Sequence, residues 1–206
     1  MLYVGLTGNI ASGKSEAAAR FAAHGATIVD ADVLAREAVA VGSPAYKRVV
    51  ERWGTDVIAP GGALDRAALR HAVFADKEQL DELNAIIHPH VNRLRKKMVA
   101  EARKRGDSVL IYVVPLLFER RLAAEFDKIV LVDARRELRF ERLVKLRGVS
   151  EDDAANMIAA QMHAELKKAR ADFVIENDGS LEHLQSQVDS VWAQLTEIGA
   201  RSSLAD

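Results

Sequence analysis

Apolar residues gather in short β-branched runs, separated by stretches where they recur every three or four positions. The runs Leu2–Leu6, Thr27–Val29, Val109–Val114, Ile129–Val132 and Phe173–Glu176 are bounded by Gly, Asp or Pro. Continuous runs of this kind predict strands buried on both faces of a parallel sheet. Helical periodicity predicts Lys14–Ala23 directly after the first strand. It also predicts His88–Arg105, with Val91, Leu94, Met98 and Ala102 on one stripe and Pro89 in the first turn. A final helix sets Leu181, Leu184, Val188, Val191, Leu195 and Ile198 on a sheet-packing face, and the polar tail Gly199–Asp206 is expected to fray. Strands alternating with helices imply an α/β fold with a mostly parallel sheet. Ala31 to Arg105 breaks the rhythm with helical patterns and turns (Gly42-Ser43-Pro44, Pro60-Gly61-Gly62) but no strand. That excursion is too long for one crossover and is a candidate substrate-binding insertion.

With 206 residues and 49% apolar content, one compact domain with a buried core is the expectation. The 29 basic and 30 acidic residues nearly cancel, so charge balance gives no support to a global polyanion-binding role, and nucleic acid is not an expected partner. The absence of cysteine excludes disulfides, a thiol nucleophile and a thiolate metal site, and suits the reducing cytosol. The N-terminal run lacks a basic flank and breaks at Thr7 and Gly8, so it reads as a strand and not as a signal peptide. No apolar run reaches the roughly 18 residues of a membrane span. A cytoplasmic protein with no membrane contact and no obligate protein partner is expected.

Gly8-Asn9-Ile10-Ala11-Ser12-Gly13-Lys14-Ser15 matches G-x-x-x-x-G-K-[ST] in full, between a predicted strand and a predicted helix. Chemistry demands these types at this spacing. The chain must turn tightly around a phosphate and then open a helix whose first N–H groups aim at it. Gly8 and Gly13 allow close backbone approach, Lys14 can reach the β- and γ-phosphates, and Ser15 can ligate Mg²⁺. The chain lacks the N-K-x-D and D-x-x-G motifs of small GTPases. Val109–Val114 runs into Pro115 with no acidic residue at its tip, unlike the large ATPase motors. A small kinase is favoured.

A kinase acting on an alcohol needs a carboxylate to take up the hydroxyl proton. Asp30-Ala31-Asp32 ends the second predicted strand, where open α/β sheets carry their ligands, although one Asp there can equally cap the next helix. Arg135, Arg136, Arg139, Arg142, Lys145 and Arg147 crowd the helix after the fourth strand, with Arg135, Arg139 and Arg142 on one face. Ser150-Glu151-Asp152-Asp153 has the form of a capping box opening the next helix. The pair reads either as a solvated face or as a lid whose arginines neutralise charge on a transferring phosphoryl group. His88-Pro89-His90 is a poor metal site at i, i+2, and Trp53 and Trp192 read as packing.

Together these residues resemble the dephospho-coenzyme A kinase family over nearly the whole chain. The matching segments are Gly5–Ser15, Val29–Arg36, Gly62–Leu69, Val73-Phe74, Ile87–Val91, Pro115–Glu119 and Ala171–Gly179. The resemblance implies a three-layer P-loop NTPase fold with a five-stranded parallel sheet, a helical CoA-binding insertion at about 33–105 and a helical lid at about 135–162. It implies transfer from ATP, with Mg²⁺, to the ribose 3′-hydroxyl of dephospho-CoA, the last step of coenzyme A synthesis. Asp32 would be the base, Lys14 and Arg142 the charge stabilisers, and Ser15 with Asp30 the Mg²⁺ ligands. The loop from Gly8 to Glu16, Arg147 and Asn177 would hold ATP, with Asn177 near the adenine. Asp32, Arg36, His88 and Pro115, Leu116, Leu117, Phe118 and Glu119 would line the dephospho-CoA pocket. The chain departs from the family pattern at Asn9 and Ala11, where glycines are usual. At Leu146 a second lid arginine is usual, and here Arg147 follows one residue later; Asn156 replaces a further arginine. A slower or less tightly closing lid is expected. The alternatives are another small-molecule P-loop kinase, acting on a nucleoside or nucleotide, and a nucleotide-dependent switch protein.

Overall fold

The computed structural model describes residues 1–74 and 76–202. Strands β1 (Leu2–Thr7), β2 (Thr27–Asp30), β3 (Val109–Val113), β4 (Lys128–Asp133) and β5 (Phe173–Glu176) form one sheet in the order β2-β3-β1-β4-β5. β1 pairs in parallel with β3 and β4, and β4 with β5. The expected α/β sheet is present, with strand ends within two residues of the sequence pattern.

Alternation along each strand decides which layer a residue meets. Leu2, Val4 and Leu6 of β1 and Val109, Ile111 and Val113 of β3 face one core. Helix α1 (Lys14–Ala23) contributes Ala17, Ala18 and Phe21 to it, and α9 (Leu181–Ser202) contributes Leu184, Val188, Val191 and Leu195. The intervening positions supply the opposite face. There Tyr3 and Tyr112 meet the Phe126 ring, with centroids 4.9 and 6.2 Å away. A Cβ on Gly5 would stand 2.7 Å from Leu117 Cδ1 and 3.0 Å from the Phe126 ring, so the missing side chain lets both lie close against the sheet.

The chain divides into two compact units, one of Met1–Val29 with the chain from Ala102 onward, the other Asp30–Glu101. The second holds α2 (Ala31–Ala38), α3 (Pro44–Trp53), α4 (Arg66–Phe74) and most of α5 (Lys77–Arg105). Its own core is Ala45, Val49, Val57, Leu69, Val73, Leu83 and Ile86. Ser43 caps α3 by accepting from Tyr46 N at 3.0 Å, with Pro44 at the first position, as its missing N–H favours.

Three expectations change. The helix placed at His88–Arg105 begins at Lys77, with Pro89 in its interior. An interior proline costs about 3 kcal/mol. Leu83 and Ile86 in the preceding turns and Val91 in the following one are buried, and that packing carries the helix through. At the other end, Gly199 is buried within α9, where a Cβ would lie 3.5 Å from Ser108 O, and the helix runs on to Ser202. Leu181, assigned to the packing face, is 50% exposed in the opening turn. The end of the tail, 203–206, lies outside the described residues.

Candidate active site at the phosphate loop

β1 ends at Thr7, whose hydroxyl donates to the Pro115 carbonyl at 3.2 Å, and the chain turns at once into the loop. Two loop positions require glycine. A Cβ on Gly8 would collide with the Val132 carbonyl oxygen, and Gly13, at φ 98°, caps α1 where a Cβ would collide with Asn177 Nδ2. Ser12 N donates to Asn9 O at 3.1 Å, closing the turn. Lys14 Nζ donates to Gly8 O at 2.8 Å and Asn9 O at 3.1 Å, which folds the ammonium back over its own loop. Ser15 and Glu16 stand exposed in the first turn of α1. Asn9 and Ser12 are buried, and Asn9 Oδ1 and Ser12 Oγ have no hydrogen-bond partner.

The loop is held from outside by residues far away in sequence. Asn177 Nδ2 donates to Ser12 O at 2.8 Å, and Asn177 N to Asp133 O at 2.7 Å. This buried amide supports the loop: β5 ends one residue earlier and delivers it beneath Gly13. Arg142 bridges Ala11 O at 3.2 Å and Asn177 O at 2.9 Å. Gln161 Oε1 accepts from Ile10 N at 2.7 Å, and Asn9 Nδ2 donates to Met162 O at 3.3 Å. Sequence reasoning missed Gln161, since a lone polar residue after a helix carries no spacing signal.

The Pro115–Glu119 segment splits in two. Leu117 and Phe118 are 0% and 4% exposed and pack in the core, so they offer a pocket no open surface in this structure. Pro115 and Leu116 remain half-buried. Glu119 Oε1 accepts from Met162 N at 3.1 Å and pairs at 2.7 Å with Nζ of the fully buried Lys167. Burial pushes the Glu119 carboxyl up, but the hydrogen bond and charge of Lys167 outweigh it and hold the group below the usual carboxylate range. Lys167 was also missed. It sits in α8 (Ala164–Lys168), a helix too short to show a periodic stripe.

The arginine-rich segment packs on the loop. Helix α6 (Arg136–Glu141) runs into a π-turn at Arg142–Leu146, and α7 (Glu151–Ala159) follows. Ser150 caps α7 by accepting from Asp153 N at 3.2 Å, as its sequence indicates. Leu143, Ala154 and Ile158 bury Ala11, with Ile10 against the same cluster. Arg135, Arg139 and Arg142 do not act from one face. Arg135 pairs with Asp178 at 3.2 Å, Arg139 is buried with its Nε on Ala134 O at 2.9 Å, and Arg142 meets the loop. The π-turn that begins at Arg142 changes the spacing of the residues that follow it. It takes in one extra residue per turn. Arg147, five after Arg142, therefore comes round to where the fourth residue of an α-helix would stand. Arg147 and Leu146 are both exposed.

The remaining candidates lie in the helical unit. Asp30 caps α2, its Oδ1 accepting from Asp32 N at 2.7 Å and Val33 N at 3.2 Å. One carboxylate oxygen is thus committed to the helix, leaving Oδ2 for any metal. Asp32 and Arg36 are exposed one turn apart on α2, and His88 is half-buried in α5. Among the described residues no cluster of three metal-ligating side chains exists. The exposed Ser15 hydroxyl suits Mg²⁺ that arrives on nucleotide phosphates, which needs few protein ligands.

A parallel sheet with a glycine-bounded phosphate loop after β1 and an arginine-bearing helical segment packed upon it defines a P-loop kinase. Comparison with known proteins places it more closely. The chain belongs to the dephospho-CoA kinase family, whose profile matches residues 2–183. It is 49% identical to the dephospho-CoA kinase of Streptomyces avermitilis over 195 residues, covering 95% of this chain and 94% of the relative. It is 44% identical to that of Bacillus licheniformis over 187 residues, covering 91% and 93%. The crystal structure of TT1252 from Thermus thermophilus aligns with a TM-score of 0.77 at 37% identity, covering 94% of this chain and 97% of that one. A dephospho-CoA kinase from Campylobacter jejuni, at 20% identity and TM-score 0.67, shares the fold and covers 95% and 97%.

Proposed function

We propose that this chain transfers the γ-phosphoryl group of ATP to the ribose 3′-hydroxyl of dephospho-CoA, giving coenzyme A and ADP. The observation that carries this reading is the match to one kinase family along residues 2–183, which takes in the phosphate loop, the Asp30-Ala31-Asp32 segment and Pro115–Glu119. Phosphoryl transfer asks for little covalent work from the protein, so positioning and charge stabilisation supply the rate. In the proposed assignment the loop's backbone and Lys14 bind the β- and γ-phosphates, and Arg142 and Arg147 neutralise charge on the group in flight. Asp32 accepts the hydroxyl proton, while Arg36, His88, Pro115 and Leu116 bind the acceptor. Mg²⁺, held by Ser15 with Asp30 Oδ2 as a further candidate, would neutralise phosphate charge. Leu117 and Phe118 act from the core by fixing the segment that carries Glu119.

The test is ADP formation from ATP and Mg²⁺ with and without dephospho-CoA, beside a panel of nucleosides and nucleoside monophosphates. Selective stimulation by dephospho-CoA, with coenzyme A as product, is the expected result. Stimulation only by another acceptor would move the chain to a different small-molecule kinase, and silence across the panel would favour a nucleotide-dependent switch.

A further inference from the structure

A cavity of about 460 Å³ opens between the start of α6 and the segment joining α7 to α8. Four basic side chains line it, Arg135, Arg136, Arg139 and Lys168, against the two carboxylates Asp133 and Glu165. Both carboxylates are already paired with Lys168, at 2.9 and 3.4 Å. Of the phosphate loop Asn9 reaches the wall, beside Gln161 and Met162 that hold the loop from outside, while Gly13, Lys14 and Ser15 do not line it.

Arg139 is the decisive residue. It is 4% exposed, its Nε is used on Ala134 O, and its Nη1 is buried with no partner. A guanidinium offers five donors in a fixed fork, and leaving one buried and unmade costs as much as a lost hydrogen bond to a charge. Burial pulls the group below the usual arginine range, with the nearby Asp133 charge only partly opposing it. An anion within hydrogen-bond reach of Nη1 would stabilise such a residue. The volume exceeds the needs of a single phosphate and falls in the range of small-molecule sites.

We propose that this cavity is a second anion site, built for a diphosphate group and independent of the loop that takes the donor's phosphates. Two sources carry that chemistry: the proposed acceptor, whose nucleotide and pantetheine halves are joined by a diphosphate, and a separate small effector. The first source rests on the functional reading above; the site itself does not.

Inorganic pyrophosphate is titrated calorimetrically into protein saturated with a non-hydrolysable ATP analogue, whose own occupancy is followed by a fluorescent reporter. One equivalent should bind, and should still bind in Lys14→Ala, where the loop is impaired. Arg139→Gln should weaken it about tenfold or more, the scale of a lost charge-assisted hydrogen bond, with partial recovery in Arg139→Lys. Arg136→Gln, at an exposed position, should weaken it severalfold and decides the matter if Arg139→Gln fails to fold. No binding beside the analogue, or equal binding in all variants, overturns the site. Competition by dephospho-CoA assigns the site to the acceptor, and simultaneous binding assigns it to an effector. Failure of the analogue to bind counts against the loop reading alone, because the Lys14→Ala titration still reports on the cavity.

Discussion

Ala11 stands at φ 58°, the left-handed conformation that costs an L-residue roughly 1–2 kcal/mol. Leu143, Ala154 and Ile158 close over the methyl, and its burial offsets part of that cost. Ala11→Gly relieves the strain but loses about 0.8 kcal/mol of methyl burial and a similar amount in backbone entropy. These offset, so its melting temperature should lie within a few degrees of the parent. Ala11→Val adds a β-branch at positive φ and should cost more than about 2 kcal/mol, measured by denaturant unfolding. Lys14→Ala should lower kcat at least about 100-fold, the scale of a lost charge-stabilising group. Asp32→Asn should lower kcat comparably while ATP affinity stays nearly intact; full activity in that variant would remove Asp32 as the base.

Among the elements, the π-turn at Arg142–Leu146 sets the spacing between Arg142 and Arg147. Its extra residue offsets the one-residue delay of Arg147 in the sequence, which makes Arg147 the candidate for the role of the arginine missing at 146. Arg147→Ala should then reduce kcat about tenfold or more, whereas Leu146→Ala should leave it unchanged. Equal kinetics in the two variants would show that Arg147 never meets the nucleotide. The tie between Glu119 and α8 is a second device of this scale. Lys167 is fully buried, and removing one partner of such a pair typically costs about 3–5 kcal/mol by stranding the other charge. Glu119→Gln and Lys167→Met should each destabilise on that order, and the double variant should lose less than their sum. Strict additivity in urea titrations would mean the pair contributes nothing as a pair.

Across the whole molecule, Asp189 of α9 fastens α1 to the C-terminal helix. It accepts Arg20 Nε and Nη2 at 2.7 Å each and lies 2.6 Å from His24 Nε2. The Arg20 hydrogen bonds, then that of His24, hold its carboxyl far below the usual range. A depressed folded-state value gives stability that is complete above the unfolded carboxylate value, near pH 4, and is lost as pH falls below it. Thermal melting between pH 6 and pH 2 should therefore show a steeper acid loss for the parent than for Asp189→Asn, which starts lower. Parallel curves would show that the cluster has no role in acid unfolding. No helix among the described residues is long and apolar enough to cross a membrane.

The phosphate loop was legible in the sequence because its demands are local. Gly8, Gly13 and Lys14 shape the loop through their own backbone and side chains, at a spacing set by one strand–turn–helix. Strand positions, the α9 stripe and the Ser150 cap were readable for the same reason, since periodicities of two and 3.6 and a three-residue reach are written in adjacent positions. What surrounds the loop was not legible. Asn177 beneath Gly13, Gln161 on Ile10, Lys167 on Glu119 and the burial of Leu117 and Phe118 join positions far apart in the chain. So does the parting of Arg139 from Arg142, since one side chain turns back on Ala134 O and the other reaches Ala11 O and Asn177 O. Local chemistry determined that this protein handles a nucleoside triphosphate. Tertiary packing alone decided which side chains brace the loop, which arginine meets it, and which is left buried beside an open cavity, because burial depends on neighbours the sequence does not place.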